Sequence, residues 1–170
     1  FVCNPNNPTG IEIPTAELKS FCETQSRKYP VYVDEAYIEL SPNGRESSMA
    51  SLVDVNPNII VGRTFSKVHG LAGLRIGYAI ANPVTIELLA NFHIGRGMTI
   101  SSASANAAIA CLKDAEFEAY SRRKIIEGRE MVCKAFDKWG VEYMPSAANF
   151  VFFRNDKFKM DPVEAMEKER

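Results

Sequence analysis

The sequence is poor in the residues that mark disulfide-rich or zinc-binding proteins. Its 170 residues include only four cysteines, two histidines and one tryptophan. The cysteines show neither C-x-x-C spacing nor a nearby pair of histidines, which argues against a zinc site and against a disulfide framework. Buried, reduced thiols are the better interpretation, so we expect a cytoplasmic protein that binds no metal.

The sequence also lacks a large net charge and long apolar runs. The 20 basic and 21 acidic residues leave a formal net charge of −1, which argues against a polyanionic partner such as nucleic acid. The longest apolar stretches, at 76–81 and 149–153, are far shorter than the roughly 20 residues of a membrane-spanning helix. We expect these stretches to be buried strands, and we expect neither nucleic acid nor a membrane as a partner.

The two ends of the chain indicate a segment of a longer protein. The first residue is not methionine, and the opening apolar run leads directly into a turn at 4–10 that is rich in asparagine and proline. The last residues, 167–170, lie within a helical pattern that has only begun. No secretory or transit signal is visible.

The first half of the chain alternates between strand and helix patterns. Strands are predicted at 1–3, 31–33, 58–63 and 76–81, and helices from Thr15, which we interpret as an N-cap, and at 48–53 and 83–92. Such alternation is typical of an α/β fold with a mainly parallel sheet. We therefore expect a three-layer α/β/α arrangement.

The second half has a different character. Helices are predicted at 101–113 and 116–139, the second of them ending at the C-cap residue Gly140. Short strands are predicted at 141–143 and 149–154, with a turn at Pro145 and Ser146. We place a domain boundary at the start of the long helix, so that 1–114 is part of a large domain. Residues 115–170 are then the connecting helix and the beginning of a smaller α+β domain.

Several polar side chains follow successive predicted strands. Asn7, Asp34 and Lys67 each come just after a strand, and Lys67 is flanked by hydroxyl residues and glycines. Ligands of open α/β sheets bind beyond the carboxyl ends of the strands, so these side chains are predicted to converge on one crevice. Lysine can form a Schiff base with a carbonyl group, which suggests a site for an aldehyde cofactor.

A pyridine aldehyde that carries a phosphate would use each of these groups. A carboxylate such as Asp34 would keep the ring nitrogen protonated. Hydrogen-bond donors would bind the phenolic oxygen, and hydroxyl groups with a planar guanidinium would bind the phosphate. Each residue taken singly also has an ordinary interpretation, as a turn residue, a cap, a core-edge aromatic or a surface ion pair. The candidate set is Asn7, Asp34, Tyr37, Thr64, Ser66, Lys67 and Arg75.

Three motifs carry a resemblance to a known family. They are Asn-Asn-Pro-Thr-Gly at 6–10, Asp-Glu-Ala-Tyr at 34–37, and Ser-Lys at 66–67 followed by Gly-Leu-Ala-Gly-Leu-Arg-Ile-Gly-Tyr at 70–78. Together they resemble the fold-type I pyridoxal-phosphate aminotransferases, especially the branch typified by histidinol-phosphate aminotransferase. The segment at 145–151 is similar to that branch as well, so the resemblance covers nearly the whole chain.

The resemblance implies a role for each candidate residue. Lys67 would form the internal aldimine with pyridoxal 5'-phosphate, and Asp34 would pair with the pyridine nitrogen. Asn7 and Tyr37 would bind the phenolic oxygen. The phosphate would be held by three residues, Thr64, Ser66 and Arg75.

The implied reaction is transfer of an amino group to a 2-oxo acid. The donor would be histidinol phosphate, as in histidine biosynthesis, or an aromatic or aliphatic amino acid, and the sequence does not decide among them. The resemblance further implies a homodimer of the full-length protein. Two alternatives stay open: another reaction of the same cofactor, such as decarboxylation or C–S cleavage, and a non-catalytic regulatory domain. We expect the 170-residue segment alone to have little or no activity.

Overall fold

A single sheet organises the first half of the chain in the computed structural model, which describes residues 1–92, 100–156, 158 and 161–168. Its strands follow the order β1 (Val2–Cys3), β2 (Val31–Asp34), β3 (Ile59–Thr64) and β4 (Gly77–Ala81). β1, β2 and β3 run parallel, whereas β4 pairs antiparallel with β3. The predicted α/β fold with a mainly parallel sheet is confirmed.

One face of this sheet forms the main hydrophobic core. Val31 and Val33 of β2 and Ile59 and Val61 of β3 are buried there, as the period-two alternation of a strand requires. The helix α1 (Thr15–Gln25) covers these side chains with Leu18 and Cys22, together with residues of the turns before β3.

The predicted start of α1 is wrong in one detail. Pro14 occupies the N-cap position and Thr15 is the first helical residue. The Thr15 hydroxyl donates a hydrogen bond to Ser47 Oγ at 3.1 Å instead of capping the helix. The hydroxyl therefore ties α1 to the turns that follow β2.

The helix predicted at 48–53 is also wrong. The chain there forms one short 3-10 turn, Met49–Leu52, and Ser48 Oγ accepts a hydrogen bond from Ala50 N. Pro57 disfavours helical backbone at Asn56, and the Asn56 side chain instead accepts from Asn58 N at 3.0 Å. The helical turn at Met49–Leu52 therefore does not continue into an α-helix.

The remaining helices lie where the sequence predicts them. They are α2 (Pro83–Phe92), α3 (Ser102–Lys113) and α4 (Ala115–Trp139), and a short helix α5 (Pro162–Lys168) follows. Asp114 caps α4 by accepting from Phe117 N at 2.9 Å. Gly140 ends α4 with a φ of 65°, a left-handed C-cap conformation that glycine adopts without strain.

The two strands predicted at 141–143 and 149–154 do not form as regular strands. The structure contains a single antiparallel bridge there, between Tyr143 and Phe153. The intervening residues bond elsewhere, because Ala147 N donates to Gly10 O at 2.7 Å and Arg129 donates to Ala148 O at 2.9 Å. These contacts hold the segment against the turn after β1 and against α4.

Candidate functional site

A cavity of about 400 Å³ lies at the carboxyl ends of β2 and β3. Parallel strands end at the same edge of a sheet, so residues that are distant in sequence meet there. All seven predicted site residues line this cavity: Asn7, Asp34, Tyr37, Thr64, Ser66, Lys67 and Arg75. The structure therefore brings the whole candidate set together.

Asn7, Tyr37 and Lys67 form one side of the cavity. The Asn7 side-chain amide donates to the Tyr37 hydroxyl oxygen at 3.1 Å. Tyr37 is only 4% exposed, and its ring meets Phe150 edge-on at a centroid distance of 5.4 Å. The Lys67 ammonium lies 5.0 Å from the centroid of the same ring, within cation–π range. Packing thus fixes a phenol beside a primary amine.

Asp34 lies at the end of β2 and is half-buried. One carboxylate oxygen accepts from Ala36 N at 3.0 Å. Burial raises the pKa of the neighbouring Tyr32 phenol, and the Asp34 charge raises it further. Tyr32 consequently stays a neutral hydrogen-bond donor beside a carboxylate.

Two hydroxyl groups stand at the end of β3. Thr64 Oγ1 donates to Ser66 Oγ at 2.9 Å and accepts from Ser66 N at 3.1 Å. This local turn exposes both hydroxyls to the cavity immediately before Lys67. A hydroxyl in such a turn can donate a hydrogen bond to an anionic ligand.

Arg75 has an unusual backbone conformation. Its φ is 49°, the only positive value at a non-glycine residue among those the structure describes. A left-handed conformation costs roughly 1–2 kcal/mol for a residue with a Cβ atom. The guanidinium donates to Ala72 O at 2.9 Å and lines the cavity. Local strain of this kind is often found at ligand sites.

Sequence reasoning missed a close contact in the floor of the cavity. A Cβ atom on Gly62 would overlap the phenol of Tyr32. Gly62 is paired with Asp34 across the sheet, so Tyr32, Asp34 and Gly62 lie on the same face. A glycine inside a strand pattern marks such a close approach and could have indicated this floor.

Sequence reasoning also missed a buried polar group behind the cavity. Glu35 is 1% exposed and binds Arg63 and Ser48. The strand alternation offered a signal, because Glu35 continues the inward positions of Val31 and Val33. His69, which lies in the loop after Lys67, packs against Phe65 at a centroid distance of 5.2 Å.

The sequence led us to expect neither a metal site nor a membrane as a partner, and two observations on the structure bear on these expectations. Among residues 1–92, 100–156, 158 and 161–168, no group of three or more His, Cys, Asp or Glu side chains is placed to hold a metal ion. Over the same residues, no helix has both the length and the apolar character that a membrane crossing requires.

The protein has an α/β sheet with a polar, lysine-containing cavity at the carboxyl edge of that sheet. Comparison with known proteins identifies the family to which this chain belongs. The sequence model of the family "Aminotransferase class I and II" matches residues 1–165. The chain belongs to that family.

Individual relatives have two different specificities. The chain is 38% identical over 168 residues to the histidinol-phosphate aminotransferase of Brevibacillus brevis, covering 99% of this chain and 45% of the relative. It is 39% identical over 169 residues to an aromatic amino acid aminotransferase of Mycobacteroides abscessus, covering 97% and 48%. The chain therefore spans less than half the length of these relatives.

A solved structure supports the same fold. The histidinol-phosphate aminotransferase of Sinorhizobium meliloti, crystallised in complex with pyridoxal-5'-phosphate, matches with a TM-score of 0.76 at 33% identity. The match covers 88% of this chain and 40% of that one.

The cavity fits such a cofactor chemically. It offers an amine for an aldehyde, a carboxylate for a ring nitrogen, a phenol–amide pair for a phenolic oxygen, and hydroxyls with a guanidinium for a phosphate. Its volume of about 400 Å³ lies within the range of small-molecule sites.

Proposed function

We propose that the full-length protein is a pyridoxal-phosphate-dependent aminotransferase. The observation that carries the proposal is the meeting of seven chemically suited side chains on one cavity, with Lys67 beside the Asn7–Tyr37 pair. Membership of the aminotransferase class I and II family supports it.

Each side chain has a defined task in this proposal. When bound, the cofactor supplies an electron sink for the negative charge that develops at the substrate Cα. Asp34 holds a proton on the ring nitrogen by ion pairing. Asn7 and Tyr37 bind the phenolic oxygen. The phosphate is held by the two hydroxyls and the guanidinium of Thr64, Ser66 and Arg75.

Lys67 has two tasks. Its Nζ would condense with the aldehyde carbon, with loss of the aldehyde oxygen as water, and would thereby fix the cofactor in the cavity. When a substrate amine takes its place, the free Nζ would accept the proton from the substrate Cα and would donate it to the former aldehyde carbon of the cofactor. The 5.0 Å separation from the Tyr37 ring keeps this amine close to the phenolic oxygen's binding groups.

The proposed donor is an amine that carries a flat ring. Relatives that act on histidinol phosphate and on aromatic amino acids match at 38% and 39% identity. An imidazole and a benzene ring share the shape and the apolar faces that such a pocket would recognise. The acceptor is a 2-oxo acid. A homodimer, a cytoplasmic location and a domain boundary after residue 114 complete the proposal.

The decisive test is to locate the covalent bond to the cofactor. Full-length protein is incubated with pyridoxal phosphate, reduced with borohydride, digested and mapped by mass spectrometry. We expect the adduct on Lys67 and none in Lys67→Ala, whereas Lys124→Ala, on the exposed face of α4, should label normally. An adduct on another lysine, or no adduct, would overturn the assignment.

A product assay tests the reaction itself. Full-length protein is given histidinol phosphate or an aromatic amino acid together with 2-oxoglutarate. We expect glutamate and the oxo product in equal amounts. Release of carbon dioxide or of a thiol without glutamate would instead identify one of the alternative reactions. Cofactor binding without turnover of any donor would favour a regulatory domain.

A further inference from the structure

A buried ion pair, Glu35 with Arg63, lies on the core face of the sheet next to the cavity, and Arg63 also contributes to the cavity lining. We propose that Glu35 and Arg63 are positioning residues, which fix the spacing between the ends of β2 and β3 and thereby the spacing between Asp34 and the Lys67 loop. The inference rests on the proposed function, because the spacing matters for a ligand that contacts both ends.

The Glu35 carboxylate is held by three neighbours. It accepts from Ser48 Oγ at 2.7 Å, from Met49 N at 2.7 Å and from Arg63 Nε at 3.1 Å. Arg63 Nη2 lies 3.0 Å from the same carboxylate and donates to Ser48 Oγ at 2.7 Å. The Glu35 side chain is 1% exposed and that of Arg63 is 8% exposed.

Such a pair is a poor device for stability alone. Moving two charges out of water costs most of what their attraction returns, and apolar replacements of similar size are often as stable or more stable. Buried ion pairs are better explained where they fix a geometry. The position of this pair in the sheet provides that geometry.

The pair links the two strands at the point where they end. Glu35 directly follows Asp34, and its N–H donates to Gly62 O at 2.9 Å as the last backbone bond between β2 and β3. Arg63 directly precedes Thr64, whose hydroxyl binds Ser66. Because neighbouring residues of a strand face opposite sides, each member of the pair stands behind one ligand-facing residue.

The consequence is a fixed distance across the cavity. Asp34 is proposed to bind one end of the cofactor ring. The Thr64–Lys67 turn is proposed to bind the aldehyde and the phosphate. If the strand ends separate by a fraction of an ångström, the two groups no longer contact the same rigid ligand together. Cofactor affinity should therefore depend on the pair more than stability does.

The experiment compares neutral and charged versions of the pair in the full-length protein. Glu35→Gln combined with Arg63→Met leaves no buried charge, and the glutamine can still accept from Met49 N. Arg63→Lys keeps the charge but removes the two-donor fork. Arg154→Met serves as the matched control, since Arg154 pairs with Glu142 at a site where both are more than half exposed.

Two quantities are measured on each variant. The dissociation constant of pyridoxal phosphate is obtained by titrating the apoprotein well below its melting temperature, and the melting temperature of the apoprotein is recorded separately. We expect the neutral pair to melt within a few degrees of the parent but to bind at least about tenfold more weakly. Arg63→Lys should show a smaller loss of affinity, and the Arg154→Met control none.

The opposite result is equally clear. If the neutral pair melts normally and binds the cofactor with the parent's dissociation constant, Glu35 and Arg63 are structural and the inference is wrong. The proposed function is judged separately, on whether the parent protein binds the cofactor through Lys67. Its failure would show in the parent, before any variant of the pair is compared.

Discussion

The two faces of the sheet differ sharply although they are built from the same strands. On one face, Val33 and Val61 are fully buried beneath α1. On the other face, Tyr32, Asp34 and Thr64 are half-buried and line the cavity. Alternation along a strand therefore separates the residues that hold the fold from those proposed to bind a ligand.

The polar groups on the two faces also differ. On the core face, Glu35 and Arg63 neutralise each other at 3.0 Å. On the cavity face, the Asp34 carboxylate is contacted by a backbone amide and is directed to a space large enough for a ligand. In this fold the buried charge is therefore neutralised by another side chain, whereas the charge at the cavity is left available for a ligand.

The largest effect is expected on the cavity face, from Asp34→Asn. The variant keeps an oxygen for the Ala36 amide but loses the charge that would hold the ring-nitrogen proton. Loss of one such electrostatic contact typically lowers kcat about 10²- to 10³-fold. Steady-state kinetics of the full-length protein check this, with Asp54→Asn as an exposed control.

This prediction would fail if the kcat of Asp34→Asn stayed within about threefold of the parent value, below the 10²- to 10³-fold loss expected. A fall in melting temperature equal to that of a core variant would also contradict the division between the faces.

Gly62→Ala tests the close contact between Gly62 and Tyr32 in the floor of the cavity. The added methyl group would meet the Tyr32 phenol, which must then move toward the cavity. Overpacking of this kind costs about 1–3 kcal/mol, so we expect weaker cofactor binding and a lower melting temperature. Titration with pyridoxal phosphate and thermal unfolding measure the two effects.

Gly128→Ala in α4 is the matched control for that variant. Apart from its chain neighbours and the backbone of α4 itself, no atom of the described residues lies within 4 Å of the methyl group that it would add. Normal cofactor affinity in Gly62→Ala would show that Tyr32 does not form the floor in solution.

Neighbouring isoleucines on β3 compare the two faces directly. Ile59 is fully buried on the core face, and Ile60 is half-buried on the opposite face. Ile59→Val should lower the free energy of unfolding by about 0.5–1.5 kcal/mol, because it leaves a small cavity. Denaturant unfolding should give a smaller loss for Ile60→Val, and an equal or larger one would break the comparison.

The smallest effect is expected away from both faces, at Glu39. Burial raises the pKa of this carboxyl above its usual 4.5, and Arg45 at 3.4 Å offsets only part of the shift. A raised pKa means that the protonated form is favoured in the folded state, so stability is lost as pH rises through that pKa.

Glu39→Gln keeps the neutral form at every pH. The melting temperature of Glu39→Gln minus that of the parent should therefore increase as the pH is raised from 4 to 7. Thermal unfolding at several pH values measures the trend. A difference that stays constant with pH, or that reverses, would contradict the raised pKa.

Much of the architecture follows from local sequence signals. The strand patterns, the long helix ending at Gly140 and the convergence of Asn7, Asp34 and Lys67 could be predicted because each rests on short-range periodicity or on a general rule of α/β sheets. The specific roles of the cavity residues rest on the family resemblance and stay predictions.

Other features depend on contacts that periodicity does not contain. The Thr15 hydroxyl bonds Ser47 instead of its own helix, and Pro57 leaves only a short turn before β3. The residues at 141–154 form only one bridge, because residues between its two sides bond elsewhere: Ala147 donates to Gly10 O, and Ala148 O accepts from Arg129. The outcomes at Thr15 and at 141–154 were decided by partners distant in sequence, whereas the turn before β3 depends on the nearby Pro57.

The adjacency of Asp34 and Glu35 has a consequence for insertions and deletions. The two acids face opposite sides only because they occupy successive positions of an extended chain. Removing one residue from β2 would turn each acid to the other face, placing Asp34 at the buried position of Val33, opposite Val61, and Glu35 at the cavity position that Asp34 now holds. At this point the protein should accept many changes of side chain more readily than any change of length.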